Sequence, residues 1–178
     1  GIPLPPNMVA QLKRLVPGNL KRPRFGSSVM CVDDSEVRAR GITPLLAMVN
    51  TKSGGRAGAR LLSSLRSLLH EAQVCDVQTQ RSAQVLARYS GCADCLKLLV
   101  CGGDGTVSRV VDELHLLNMS QVPIGLVPIG TGNDLVNTLS STFYAPDTPR
   151  LTAESISQDP SRAVAGFARP QQCEIDVW

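Results

Sequence analysis

Four short apolar runs, each followed by a turn and then by residues at helical spacing, constrain this chain more than any other feature. "TPLLAMVN" (43–50) is bounded by turn chemistry, as a buried strand should be. "QVCDVQ" (73–78), "CLKLLVC" (95–101) and "VPIGLVPIG" (122–130) repeat the pattern. Between them, "ARLLSSLRSLLHEA" (59–72) sets Leu61, Leu65, Leu68 and Ala72 on one helical face. "TVSRVVDELHLLN" (106–118) does the same with Val107, Val110, Val111, Leu114 and Leu117, while "SAQVLARYSG" and "NDLVNTL" supply two further helices. Strands that alternate with helices imply βαβ units. The expected fold is α/β, a three-layer, mostly parallel sheet with flanking helices. A chain of 178 residues suits one domain, and 43% hydrophobic residues supply its core.

The two ends break from this order. Residues 1–42 are expected to be a proline-rich basic linker, with the domain over 43–178. Lys13, Arg14, Lys21, Arg22 and Arg24 precede any acid, which suits a solvated linker first and a segment drawn to an anionic membrane second. After Ser140, "LTAESIS" (151–157) reads as a short helix and "CEIDVW" (173–178) as a strand. A net charge of +3 and 3% aromatic residues argue against a nucleic-acid partner. The pair Cys92 and Cys95 has no second CxxC and no matching histidines, so the six cysteines read as ordinary thiols of a reducing, cytoplasmic compartment. No apolar run approaches the roughly 20 residues of a membrane span.

Three of the expected strands end in glycine-rich turns: Asn50 to Gly55, Gly102 to Thr106, and Gly130 to Asp134. In a parallel sheet these turns share the carboxyl edge, where ligands bind. Glycine lets backbone N–H groups approach an anion, and a following helix points its positive end at the same place. Thr106 and Asn133 stand where such helices should begin, as candidate N-caps. Asp104 and Asp134 then pose a problem. Two unit charges about 4 Å apart repel by about 4 kcal/mol at an effective dielectric of 20. A helix terminus returns at most about 2 kcal/mol. A divalent cation between carboxylate and phosphate reverses the sign, and Mg²⁺ is commonly held by one or two carboxylates together with substrate phosphates. The pattern therefore points to a nucleoside triphosphate with Mg²⁺ held by Asp104 and Asp134. The simpler reading of Asp104 is that it ties down its own turn.

The set "NTKSGG … GGDGTVSRVVDEL … PIGTGNDLVNTL" resembles the catalytic domain of diacylglycerol kinases, over about residues 44–178. That family is related to sphingosine, ceramide and NAD kinases. The resemblance implies that Asn50, Ser53 and Gly54 flank the nucleotide. It implies that Gly102, Gly103, Gly105 and Thr106 line its phosphates, that Asp104 serves the phosphate–metal centre as the catalytic residue, and that Gly130, Thr131, Gly132, Asn133 and Asp134 close the site. It further implies transfer of the γ-phosphate of ATP to diacylglycerol at a membrane surface, giving phosphatidic acid, and a peripherally membrane-associated protein. An upstream zinc module and a downstream β domain belong to the family pattern, the latter supplying much of the acceptor site. This chain is then the nucleotide-binding part and nearly inactive alone. It departs from the pattern at Thr51, where proline is common, at Ser108 and Arg109, where Gly-Trp is common, and at "SSTFYAP" after the third motif.

Other readings remain open at this point. "SGGRAG" (53–58) nearly spells a dinucleotide-binding fingerprint, with Asp76 near the ribose position. No Gly-Lys pair supports a Walker loop and no GxSxG a hydrolase elbow. Sphingosine or ceramide kinase, NAD kinase and a non-catalytic nucleotide-binding module are the alternatives to a diacylglycerol kinase.

Overall fold

The computed structural model describes residues 20–21, 31–32, 34–39, 41, 43–143 and 158–159. A two-stranded antiparallel pair, β1 (Leu20–Lys21) and β2 (Cys31–Val32), precedes the main sheet. That sheet comprises β3 (Leu45–Val49), β4 (Val74–Asp76), β5 (Lys97–Gly102) and β6 (Ile124–Pro128), all parallel, in the order β4-β3-β5-β6. The helices are α1 (Asp34–Ala39), α2 (Ala57–Leu68), α3 (Ser82–Ala87), α4 (Asp104–Leu116) and α5 (Asp134–Phe143). The expected helix at 151–157 and strand at 173–178 lie outside the described residues.

Every residue of β3 is buried, because helices cover both faces of the sheet. Leu46 and Met48 join Leu86 of α3 and Val110 and Leu114 of α4 in one cluster. Leu45, Ala47 and Val49 point the other way, onto Leu61 and Leu65 of α2. These two cores on opposite faces make the three layers. Buried thiols belong to both: Cys75 to the first, Cys101 to the second. Burial pushes the Cys75 thiol up to about 12, with Asp76 adding to the shift, so it packs as an inert apolar group. Cys92 and Cys95 donate their S–H groups to the carbonyls of Tyr89 and Cys92, at 3.4 and 3.3 Å.

The element ends differ from those expected, for local reasons. α2 stops at Leu68 because His70 caps a separate 3-10 turn over Glu71–Gln73. Its ring accepts the Ala72 N–H, and its own N–H donates to the Gln73 side chain. α4 begins at Asp104, so the N-cap position falls to Gly103 and not to Thr106. It ends before Asn118, which has φ 55°. The Asn118 N–H reaches the His115 carbonyl at 3.0 Å and the Met119 N–H the Leu114 carbonyl at 2.8 Å. That paired closure satisfies the last carbonyls and packs buried Met119 beneath the helix.

α1 lies inside the stretch read as linker, yet Val37 is fully buried in the first core. Arg38 clamps Asp94 through both terminal nitrogens, at 2.6 and 2.8 Å. Those hydrogen bonds hold the Asp94 carboxyl below the usual carboxylate range. Among the described residues, no helix is long and apolar enough to cross a membrane. Val37→Ala should lower unfolding free energy by about 1–3 kcal/mol, read from the denaturant midpoint. An unchanged midpoint would show that α1 is not part of the cooperative unit.

Candidate nucleotide site

Strand order places a topological switch between β3 and β5: the chain leaves β3 toward β4 on one side, and β5 and β6 follow on the other. The segments after β3, β4, β5 and β6 converge at this carboxyl edge around an open cleft of about 480 Å³. That volume is within the roughly 300–1,000 Å³ of small-molecule sites. Nine of the residues expected at the site line it: Asn50, Ser53, Gly103, Asp104, Gly105, Thr106, Gly130, Thr131 and Gly132.

Glycine at two of these positions is required by the protein itself. A Cβ on Gly130 would fall 2.5 Å from the Gly103 Cα, and one on Gly103 would fall 2.7 Å from the Gly132 oxygen. The loops after β5 and β6 thus touch through bare backbone. The Asp104 N–H donates to the Gly132 carbonyl at 3.1 Å across the same contact. Gly105 differs: a Cβ there meets nothing within 4 Å among the described residues. It lies in the first turn of α4, where N–H groups lack intrahelical acceptors. The Thr106 and Val107 N–H groups are taken by the Gly103 carbonyl. Gly105 therefore presents open backbone to the cleft.

The Asp104 carboxylate reaches across to the third loop. It accepts the backbone N–H of Asp134 at 2.8 Å and of Leu135 at 3.3 Å, capping the N-terminus of α5. The simpler sequence reading had this side chain holding its own turn; it holds the neighbouring one instead. Asn133 occupies the N-cap position, since its carbonyl accepts the Asn137 N–H, but its side chain turns back to the Gly130 carbonyl at 2.7 Å. Asp134 is exposed and does not line the cleft; its backbone serves Asp104. Among the described residues, no group of three or more His, Cys, Asp or Glu converges as a metal cage.

Asn50 joins three loops. Its Nδ2 donates to Thr106 Oγ1 at 2.9 Å, and its Oδ1 accepts from the Lys52 N–H and from Gln78 Nε2 at 3.1 and 3.0 Å. Gly54, with φ +61°, packs against the Ile129 carbonyl, where a Cβ would come within 2.3 Å. Gly102 ends β5 beneath the Thr106 side chain. Gly54, Gly102, Asn133 and Asp134 thus support the site from outside the cleft wall. Thr51, the departure from proline, donates its hydroxyl to both oxygens of Asp76, at 3.0 and 3.1 Å. Asp76 is buried and also accepts the Gln78 N–H. Asp76 does not line the cleft, which counts against the dinucleotide alternative.

The sequence missed three lining residues, Val77, Gln78 and Arg109. The first two follow β4 at the same edge, which was the available signal. Arg109 stood out only as a departure from a family pattern.

The model of the diacylglycerol kinase catalytic domain matches residues 44–177. Probable diacylglycerol kinase 3 of Caenorhabditis elegans is 34% identical over 140 residues, 76% of this chain and 18% of that protein. Diacylglycerol kinase iota of Homo sapiens is 42% identical over 98 residues, 54% of this chain and 9% of that protein. Human diacylglycerol kinase zeta is 40% identical over 98 residues, 54% of this chain and 10% of that protein. The chain spans less than a fifth of the length of these relatives. No solved structure matches it.

Gly103→Ala and Gly130→Ala should each lower stability by about 1–3 kcal/mol, because two backbones must separate. Gly105→Ala should fold with equal or higher stability, as alanine favours a helix turn by about 0.5–1 kcal/mol. Thermal melts of the three variants distinguish the two kinds of glycine, and a destabilised Gly105→Ala would refute the distinction. With 44–177 matched as a unit and its glycine loops gathered at one sheet edge, the chain belongs to the diacylglycerol kinase catalytic-domain family.

Proposed function

We propose that this chain is the ATP-binding part of a lipid kinase that transfers the γ-phosphate of ATP to the primary hydroxyl of diacylglycerol, giving phosphatidic acid. The observation that carries the reading is the open Gly105 backbone beside Asp104, at the positive end of α4 and inside the cleft. Backbone N–H groups and a helix N-terminus suit phosphate oxygens, and phosphoryl transfer depends mainly on positioning and charge stabilisation. In the transfer, the acceptor hydroxyl oxygen bonds to the γ-phosphorus and its proton passes to solvent, while the bond to the β-phosphate oxygen breaks and ADP leaves with that electron pair.

Mg²⁺ fits the donors present. Asp104 lines the cleft, and each of its oxygens keeps a lone pair beyond the α5 contact. One carboxylate with phosphates and waters is an ordinary Mg²⁺ environment. We assign Asp104 as the main protein ligand and exposed Asp134 as an outer one. Bound Mg²⁺ supplies charge neutralisation at the phosphates. Asn50, Ser53, Thr106 and Thr131 offer polar groups to the nucleotide. Peripheral association with a membrane follows from the lipid substrate.

The test is a product assay on a polypeptide containing this chain, with labelled ATP·Mg²⁺ and a panel of diacylglycerol, sphingosine, ceramide and NAD. Label is expected in phosphatidic acid and lost on chelation of Mg²⁺. Label in NAD or a sphingoid product instead would reassign the acceptor. Asp104→Ala should lower the rate by at least about 100-fold, the scale of a lost electrostatic stabiliser. It also removes a helix cap worth about 1 kcal/mol. Asp104→Asn keeps one acceptor oxygen, so it should fold and remain impaired; a wild-type rate in Asp104→Asn would remove the carboxylate from catalysis.

A further inference from the structure

Among the described residues, Arg109 is the only basic side chain in the cleft wall. It stands on α4 beyond the first turn, and helical side chains lean toward the N-terminus of their helix. From there Arg109 lines the same cleft as the glycine loops. Its side chain is steered. Arg109 Nε donates to Glu113 Oε1 at 3.1 Å, one turn along the same helix. The same oxygen accepts from Ser82 Oγ at 2.6 Å, across from α3. Ser82 is fully buried, the Glu113 side chain is 14% exposed and the Arg109 side chain 51%. A buried base thus holds an exposed tip.

The Glu113 contact uses Nε alone. It does not occupy the four terminal N–H donors of the guanidinium, whose planar fork matches phosphate oxygens. The opposite charge in the wall is Asp104, which repels a bound polyphosphate by the same Coulomb argument that called for a cation. We propose that Arg109, oriented by Glu113 and Ser82, recognises the polyphosphate of the nucleotide in this cleft. This rests on the nucleotide-kinase reading above and adds a cation from the protein to the Mg²⁺ assigned there. Glu113 and Ser82 are positioning residues.

Equilibrium binding of ATP·Mg²⁺ and of adenosine to the full chain tests the inference. Arg109→Ala should weaken ATP about 10–100-fold, the scale of charge-assisted hydrogen bonds, and adenosine by less than about twofold. Arg109→Lys should fall between wild type and Arg109→Ala for ATP, since one ammonium lacks the fork. Arg109→Ala also strands Glu113, whose Oε2 is buried without a hydrogen-bond partner among the described residues. The double variant Arg109→Ala, Glu113→Gln removes that charge, and it should melt near wild type while keeping the ATP defect. Unchanged ATP affinity in both variants, or equal loss for ATP and adenosine, would overturn the proposal. A wild-type chain that binds neither ligand would instead overturn the nucleotide reading beneath it.

Discussion

Bare backbone contact between Gly103 and Gly130 is the constraint on which the rest of the site depends. It brings the loops after β5 and β6 closer than any side chain would allow. Only then can Asp104, at the start of one helix, cap the start of the next. Asn50 ties in the loop after β3 through Thr106, and Gln78 ties in the segment after β4 through Asn50. Four strand ends become one assembly, with donors fixed before any ligand arrives. Such preorganisation is what positioning chemistry needs.

The same arrangement explains how an acid resides among anion-seeking amides. Asp104 spends its charge on the first N–H groups of α5, so its presence is rational without any ligand. A helix terminus offsets at most about 2 kcal/mol, less than the roughly 4 kcal/mol repulsion of a nearby phosphate. The difference still asks for positive charge when a polyphosphate enters. Asp104 thus has a structural role from the protein alone and a proposed chemical one with the nucleotide. Gly105 separates the two, because no neighbour among the described residues requires its missing side chain.

The sheet and the shared edge were legible in the sequence because strands buried on both faces must be continuously apolar, as Leu45–Val49 is. Helix ends were less legible. Gly103 took the cap position expected of Thr106, and His70 began a new turn where the apolar spacing alone continued α2. Three glycine loops showed which edge to examine, yet could not distinguish residues that line the cleft from those that brace it. Asn133 and Gly54 brace it, for reasons set by backbone distances across the fold. The reach of Asp104 to Leu135 and of Glu113 to Ser82 joins residues roughly 30 positions apart, which no local pattern encodes. Thr51 illustrates the same limit: its hydroxyl anchors the first loop to Asp76, a role invisible without the sheet.

The strand order also has a consequence for how the protein is made. β3 lies at the centre of the sheet and pairs with β5, whose residues follow roughly 50 positions later. When β3 and β4 have left the ribosome, the apolar edge that β5 will occupy is still bare. At about 5–20 residues per second, that edge stays open for seconds. Until Lys97–Gly102 emerges, β3 keeps that edge unpaired, the kind of exposed backbone that can pair with another chain.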